Sequence, residues 1–198
     1  AMNSKDWRIP LKKPDIPKAL TDAGYTPLLA AVLALRGITT AQEADALIRG
    51  GSECVYDPML IMGMDAAAAR VRRAIERREL VAVYGDYDVD GITSTCLVTD
   101  YLRSRGIECR PYIPDRNEEG YGLNCAALDM LKAEKVSLVI TVDCGITAAE
   151  EAAYARRLGM DMVITDHHEC KEELPRALAV VDPHRSDCPY PFKHLAGV

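Results

Sequence analysis

The sequence predicts an α/β protein: a five-stranded, mainly parallel, doubly wound sheet preceded by a short helical N-terminal segment. Three observations lead there. From Leu80 onward, short apolar runs alternate with amphipathic segments at the spacing of repeated β-α-β units. Aspartates or histidines fall just past several of those runs, in VAVYGDYDVDG at 81–91, VITVDCG at 139–145 and VITDHHE at 163–169. With 198 residues, 48% of them apolar, the chain is long enough to bury one substantial core with a smaller appendage.

The elements follow in order. A proline-rich lead (Pro10, Pro14, Pro17) gives way to two helical stretches, PLLAAVLALRG and ITTAQEADALI, the second opened by Thr40 and Glu43 as a capping box. The turn-rich GGSECVYDPML then leads into a helix from Asp65 to Glu79 carrying Arg70, Arg72, Arg73, Arg77 and Arg78. Positions 70, 73 and 77 share a helical face, which reads as a solvated charged face. Strands are predicted near 80–84, 107–113, 136–142, 160–165 and 177–181. Helices are predicted near 91–105, 122–134 and 147–158, the last opened by Thr147 and Glu150 as a second capping box. The expected division is a helical segment over 1–78 packed on a sheet domain over 79–198.

Composition excludes several classes. No apolar run reaches the roughly 20 residues of a membrane span, and AMNSKDWRIP lacks the apolar core of a signal peptide, so a cytoplasmic protein is expected. Seven cysteines without a CxxC pair read as reduced thiols. The net charge of −6 does not advertise a nucleic-acid binder, although acids gathered around cations would not count against one. GxGxxG and GxxxxGK[ST] are both absent, which argues against a generic nucleotide-binding module.

The strand ends carry the chemistry. In an open parallel sheet, ligands bind beyond the carboxyl ends of the strands, where residues distant in sequence converge. Asp86, Asp88 and Asp90 occupy one short strand-to-helix turn relieved by Gly91. Carboxylates packed this way repel one another unless they keep protons or bind cations, and several acids with imidazole favour a divalent ion. For any single member the alternative is a helix cap, Asp90 above all. An EF-hand is excluded by the missing downstream glutamate. Asp143 is expected as an exposed carboxylate at its strand end, and Asp166, His167 and His168 close the next strand as metal or phosphate residues. In YIPDRNEEGYGLN, Arg116, flanked downstream by Gly120, Tyr121 and Gly122, suits an anionic oxygen, with an ordinary helix-start loop as the alternative. His184 and His194 read as surface residues.

GDYDVDG, PDRNEEGYG, TVDCGI and TDHHE, in this order, resemble the signature motifs of the DHH phosphoesterase superfamily. The surrounding strings, including YDPML and VVDPHRSDCPYPFKHLAGV, are similar to its RecJ-type branch of single-strand-specific DNA exonucleases. The resemblance implies a pair of Mn2+ or Mg2+ ions and release of mononucleotides from the 5′ end of single-stranded DNA in recombination and repair. Water would be activated between two metals roughly 3.5–4 Å apart. It makes Asp86, Asp88, Asp143 and His167 metal ligands, with Asp143 as the bridge. His168 falls near the scissile phosphate, Asp166 orients the neighbouring imidazole, and Asp90 joins them as a catalytic candidate. Arg116, Tyr121, Gly120 and Gly122 would face substrate. Ala82 stands where many members of the superfamily place a histidine, as in the RecJ-type branch, which disfavours a pyrophosphatase. Asp182 is not counted as a ligand.

Single-stranded DNA is the implied partner, with a single-strand-binding protein and a helicase beside it and no membrane. RecJ-type proteins continue beyond an LAGV string, so the expectation is a fragment with its DHH domain truncated at the C-terminal end and weak or no activity alone. Two alternatives stand beside the exonuclease: a DHH phosphodiesterase of short oligonucleotides or cyclic dinucleotides, and a RecJ-like non-catalytic replication scaffold.

Overall fold

A computed structural model describes residues 15–51, 55–116, 120 and 122–198. The chain forms two compact units, dividing between Val55 and Tyr56. In the first unit, α1 (Lys18–Asp22), α2 (Pro27–Leu35) and α3 (Ala41–Arg49) enclose a small core of Leu20, Ala30, Leu33 and Ala44. Thr26 caps α2 ahead of a proline at the first helical position, and the Thr40–Glu43 capping box of α3 forms as expected.

The second unit is built on five parallel strands, β1 (Val81–Gly85), β2 (Cys109–Tyr112), β3 (Leu138–Val142), β4 (Asp161–Thr165) and β5 (Ala179–Val181), in the order β2-β1-β3-β4-β5. Every residue of β1 and β3 is buried, as a sheet covered on both faces requires. Alternate residues feed two cores. Val81, Val83, Leu138, Ile140 and Val163 pack with α4 (Met64–Arg77) and α5 (Val89–Ser104), whereas Ala82, Tyr84, Val139 and Ile164 pack with α6 (Cys125–Ala133) and α7 (Ala149–Arg157). The arginine helix α4 lies against β5 and belongs to this unit.

Two local expectations are corrected. Helix α7 is capped at Ala148 without any side-chain bond, so Thr147 and Glu150 form no capping box; Glu150 and Glu151 instead place negative charge in the first turn. The face of α4 is not simply solvated. Arg70 is 5% exposed, donating through Nε to Asp161 at 2.5 Å and through Nη2 to Glu79 at 2.6 Å, because α4 crosses the amino ends of the strands where those acids lie. Among the described residues the cysteines are unpaired, with Cys109, Cys144 and Cys188 buried; Cys54 lies outside them.

The sheet register positions the site. Gly85 pairs with Val142, Val142 with Thr165, and Thr165 with Val181, so these four residues form one row across neighbouring strands. The next residue after each is an aspartate: Asp86, Asp143, Asp166 and Asp182.

Candidate metal centre at the carboxyl edge

All four aspartates are buried, at 3%, 2%, 8% and 0% exposure respectively. Asp143 is therefore not the exposed strand-end carboxylate that its position suggests: the edge of the sheet is roofed by neighbouring loops. Its backbone sits at φ 59, a left-handed conformation that aspartate tolerates better than most residues and that turns the chain sharply out of β3.

Each acid has a different environment. Asp166 is fully engaged, accepting the Ile146 N–H at 2.9 Å through Oδ2 and, through Oδ1, the N–H groups of His167 and His168 and the His168 ring Nδ1 at 2.7 Å. Asp88 caps α5, accepting from the N–H groups of Asp90 and Gly91. The hydrogen bond from Gly91 leads the forces that hold its carboxyl below the ordinary range. Gly91 has no alternative here, since a Cβ would overlap the Asp86 backbone. Asp90 is not the cap; its carboxylate accepts the Gly197 N–H at 2.9 Å. The buried Asp143 carboxylate meets the Asp88 carboxyl and His167 Nε2, acceptors in their ordinary forms, and Asp86 Oδ1 and Asp182 Oδ2 are buried without a hydrogen-bond partner among the described residues. Such atoms normally find one.

Burial, followed by the charge of Asp88, raises Asp143 to about 6. Burial also raises Asp182 to about 6, against the stabilising N–H of His184, which donates to its Oδ1 at 2.7 Å. Burial opposes charging His168, yet the hydrogen bond and charge of Asp166 prevail and lift its pKa above the ordinary value. Cys144, next to Asp143, is no nucleophile: burial pushes its thiol far up, and its Sγ lies 3.7 Å from the Tyr84 carbonyl.

The geometry at His167 tests whether a cation fits. Its Nδ1 lies 2.9 Å from the Leu195 carbonyl oxygen, which can only accept, so Nδ1 carries a proton. Nε2 lies 3.0 Å from Asp143 Oδ1. In the neutral ring a lone pair therefore faces a carboxylate, and the contact requires a proton or a metal ion between them. Two donor groups surround Asp143: Asp86 with Asp88, and His167 with His168, each set within 4.8 Å of one another and of Asp143. Carboxylates and imidazoles in two sets sharing one aspartate suit a pair of divalent ions with Asp143 between them.

Of the expected site residues, the fold thus brings Asp86, Asp88, Asp143 and His167 together, adds His168 to the possible ligands, and places Asp166 behind His168. Arg116 stacks its guanidinium over the Tyr87 ring, 5.2 Å from the centroid, and Tyr87 stands between Asp86 and Asp88 in sequence. Gly120 and Gly122 have φ 82 and 84, and a Cβ at either would meet no atom within 4 Å among the described residues. The Gly122 carbonyl accepts from the Tyr84 hydroxyl. Tyr121 lies outside the described residues. Sequence reasoning missed Tyr87, Leu195 and Gly197; the last two sat in a string noted only for its resemblance. His184 is half-buried, 3.4 Å from Glu169, so only His194 is a plain surface residue.

This fold and this constellation define a class. The DHH family, N-terminal domain, matches residues 80–198, and the chain belongs to that family. Within it the chain is similar to the single-stranded-DNA-specific exonuclease RecJ. It is 45% identical to the Bacillus subtilis protein over 97% of this chain and 25% of that one, and 36% identical to the Escherichia coli protein over 89% and 30%. The chain thus spans about a quarter to a third of the length of these relatives. Among solved structures it resembles an exonuclease RecJ bound to manganese, with TM-score 0.65 and 33% identity over 72% of this chain and 36% of that one. It also resembles RecJ from Thermus thermophilus in complex with Mn2+, with TM-score 0.63 and 26% identity over 87% and 24%. The expected α/β architecture and the DHH, RecJ-type resemblance are both met. Among the described residues, no helix is long and apolar enough to cross a membrane.

Proposed function

We propose that this chain supplies the metal-binding domain of a 5′-to-3′ exonuclease that hydrolyses single-stranded DNA in recombination and repair. The observation that carries the reading is the His167–Asp143 contact at 3.0 Å inside a row of buried aspartates, where Asp86 and Asp182 each keep an oxygen without a partner among the described residues. Kinship with RecJ proteins supplies the substrate class.

Asp86, Asp88, Asp143 and His167 would hold Mn2+ or Mg2+ ions, with Asp143 shared. When bound, such ions lower the pKa of a coordinated water and neutralise charge developing on the phosphate. The protein's own groups do the rest. Asp143 and Asp86 present rigid oxygens, because burial and the adjoining strands fix both backbones. Asp166 fixes the His168 ring through Nδ1, so chemistry at that ring goes through Nε2, toward a phosphate oxygen or a metal ion. Arg116, held on Tyr87, is placed to take a substrate phosphate, with Tyr121, Gly120 and Gly122 in the same loop. A single strand that must be unwound and kept open calls for a helicase and a single-strand-binding protein as partners.

The test is digestion of 5′-labelled single strand, 3′-labelled single strand, duplex and dinucleotide with Mn2+ by the full-length polypeptide carrying this chain. Mononucleotides released from the 5′ end of the single strand alone are expected. Preference for the dinucleotide would reassign the enzyme to short substrates, and binding without cleavage would make it a scaffold. The 198-residue chain alone is expected to bind Mn2+ and cleave weakly.

A further inference from the structure

We infer that the Leu195–Gly197 segment, held by Asp90 and Ser94, is a clamp that sets the tautomer and position of His167 for metal binding. The inference rests on reading His167 as a metal ligand and assigns Asp90, Ser94 and Gly197 as positioning residues of that site. Three bonds define the clamp. Gly197 N–H donates to Asp90 Oδ2 at 2.9 Å, the Ser94 hydroxyl donates to the Gly197 carbonyl at 2.8 Å, and His167 Nδ1 meets the Leu195 carbonyl at 2.9 Å. Both anchors lie on the first two turns of α5, the helix that Asp88 caps, so one rigid element carries a metal-site acid and the two clamp holders.

The clamp also touches the other side of the site. A Cβ at Gly197 would overlap the Asp143 carboxylate, so the segment passes against that side chain with only a hydrogen to spare. The same few residues therefore confine both members of the His167–Asp143 pair. Fixing which ring nitrogen is protonated by a backbone carbonyl is the usual way a metal-binding histidine is oriented, and loss of such a partner commonly costs roughly 10- to 100-fold in metal affinity. The companion histidine needs no clamp, because Asp166, two residues before it, serves His168.

The test uses the metal-free 198-residue chain at about pH 8, with long-range 1H–15N correlation spectra of the imidazoles, and Mn2+ titration followed by the free-ion electron paramagnetic resonance signal. The parent chain is expected to show His167 protonated at Nδ1. In Ser94→Ala and Asp90→Ala the His167 ring should become a mixture of tautomers and Mn2+ affinity should fall roughly 10- to 100-fold, while His168 keeps its Nδ1 proton. Gly197→Ala should lose at least as much affinity. His167 unchanged and Mn2+ affinity retained in all three, with Asp143→Asn abolishing binding, would overturn the clamp and leave the metal site standing. Loss of the His168 tautomer together with that of His167 would show general loosening and also overturn it. Mn2+ affinity insensitive to Asp143→Asn would remove the metal site itself and the clamp with it.

Discussion

The two ends of one sheet hold acidic residues in opposite states. At the amino ends, Glu79 just before β1 and Asp161 opening β4 meet Arg70 from α4; Arg73 adds a second bond to Asp161 at 2.9 Å and Ser137 one to Glu79 at 2.8 Å. Both of these carboxylates have protein partners, and of the buried atoms in this group only Nη1 of Arg70 has none among the described residues. At the carboxyl ends, Asp86 and Asp182 each bury an oxygen with no partner among the described residues, and Asp143 is pressed against the Asp88 carboxyl and His167. Arg70 and Arg73 serve the amino edge, while the buried acids of the other edge have no such guanidinium bonded to them among the described residues. Buried carboxylates cost stability unless compensated, so the second edge makes physical sense as a place reserved for ions.

That contrast can be broken at either end. The largest effect is expected from Asp143→Asn in the full-length polypeptide: Mn2+ binding lost and cleavage of single-stranded DNA down roughly 10⁴-fold, about 5.5 kcal/mol of barrier. The same change should raise the melting temperature of the metal-free chain, since an acid with a pKa of about 6 is removed. Asn suits the test better than Ala because it too tolerates the left-handed backbone. An unchanged rate would show the row of aspartates to be structural.

Arg70→Met should act the other way, costing about 3 kcal/mol in urea denaturation with Mn2+ affinity unchanged. That is the low end for a broken buried pair, because Arg73 and Ser137 remain. A loss of metal affinity would mean that the two edges are coupled.

Next comes pH. Asp143 and Asp182 titrate at about 6 in the fold, above their unfolded range, so between about pH 4 and 6 the native state binds more protons than the unfolded one. Stability of the metal-free chain should therefore fall across that window as pH rises, by about 3 kcal/mol for each of the two groups. His168, raised above its ordinary 6.5, adds a further fall of the same sign at higher pH, above that window. Mn2+ at about pH 7 should restore the loss, which denaturation midpoints at about pH 4.5 and 7, with and without metal, would measure. The smallest effect is expected from Tyr87→Leu, which removes the platform under Arg116. It should weaken binding of a 5′-phosphorylated single strand by about 0.5–2 kcal/mol in a titration and leave a 5′-hydroxyl strand little changed.

Much of this was legible in the chain. The alternation from Leu80 onward located five strands and their helices closely, because β-α-β units leave a period that local patterning reveals. Asp86, Asp88, Asp143, Asp166, His167 and His168 stood out because acids and imidazoles directly after apolar strands have few structural reasons to be there. Tertiary structure alone decided the rest. Register, set by hydrogen bonds between strands far apart in sequence, put Asp86, Asp143, Asp166 and Asp182 in one row and buried Asp143. The carbonyl of Leu195 and the N–H of Gly197 act through the backbone, which side-chain identity does not report. Arg70 looked like any surface arginine until α4 crossed the strand ends, because the acids that claim it lie 9 and 91 residues away.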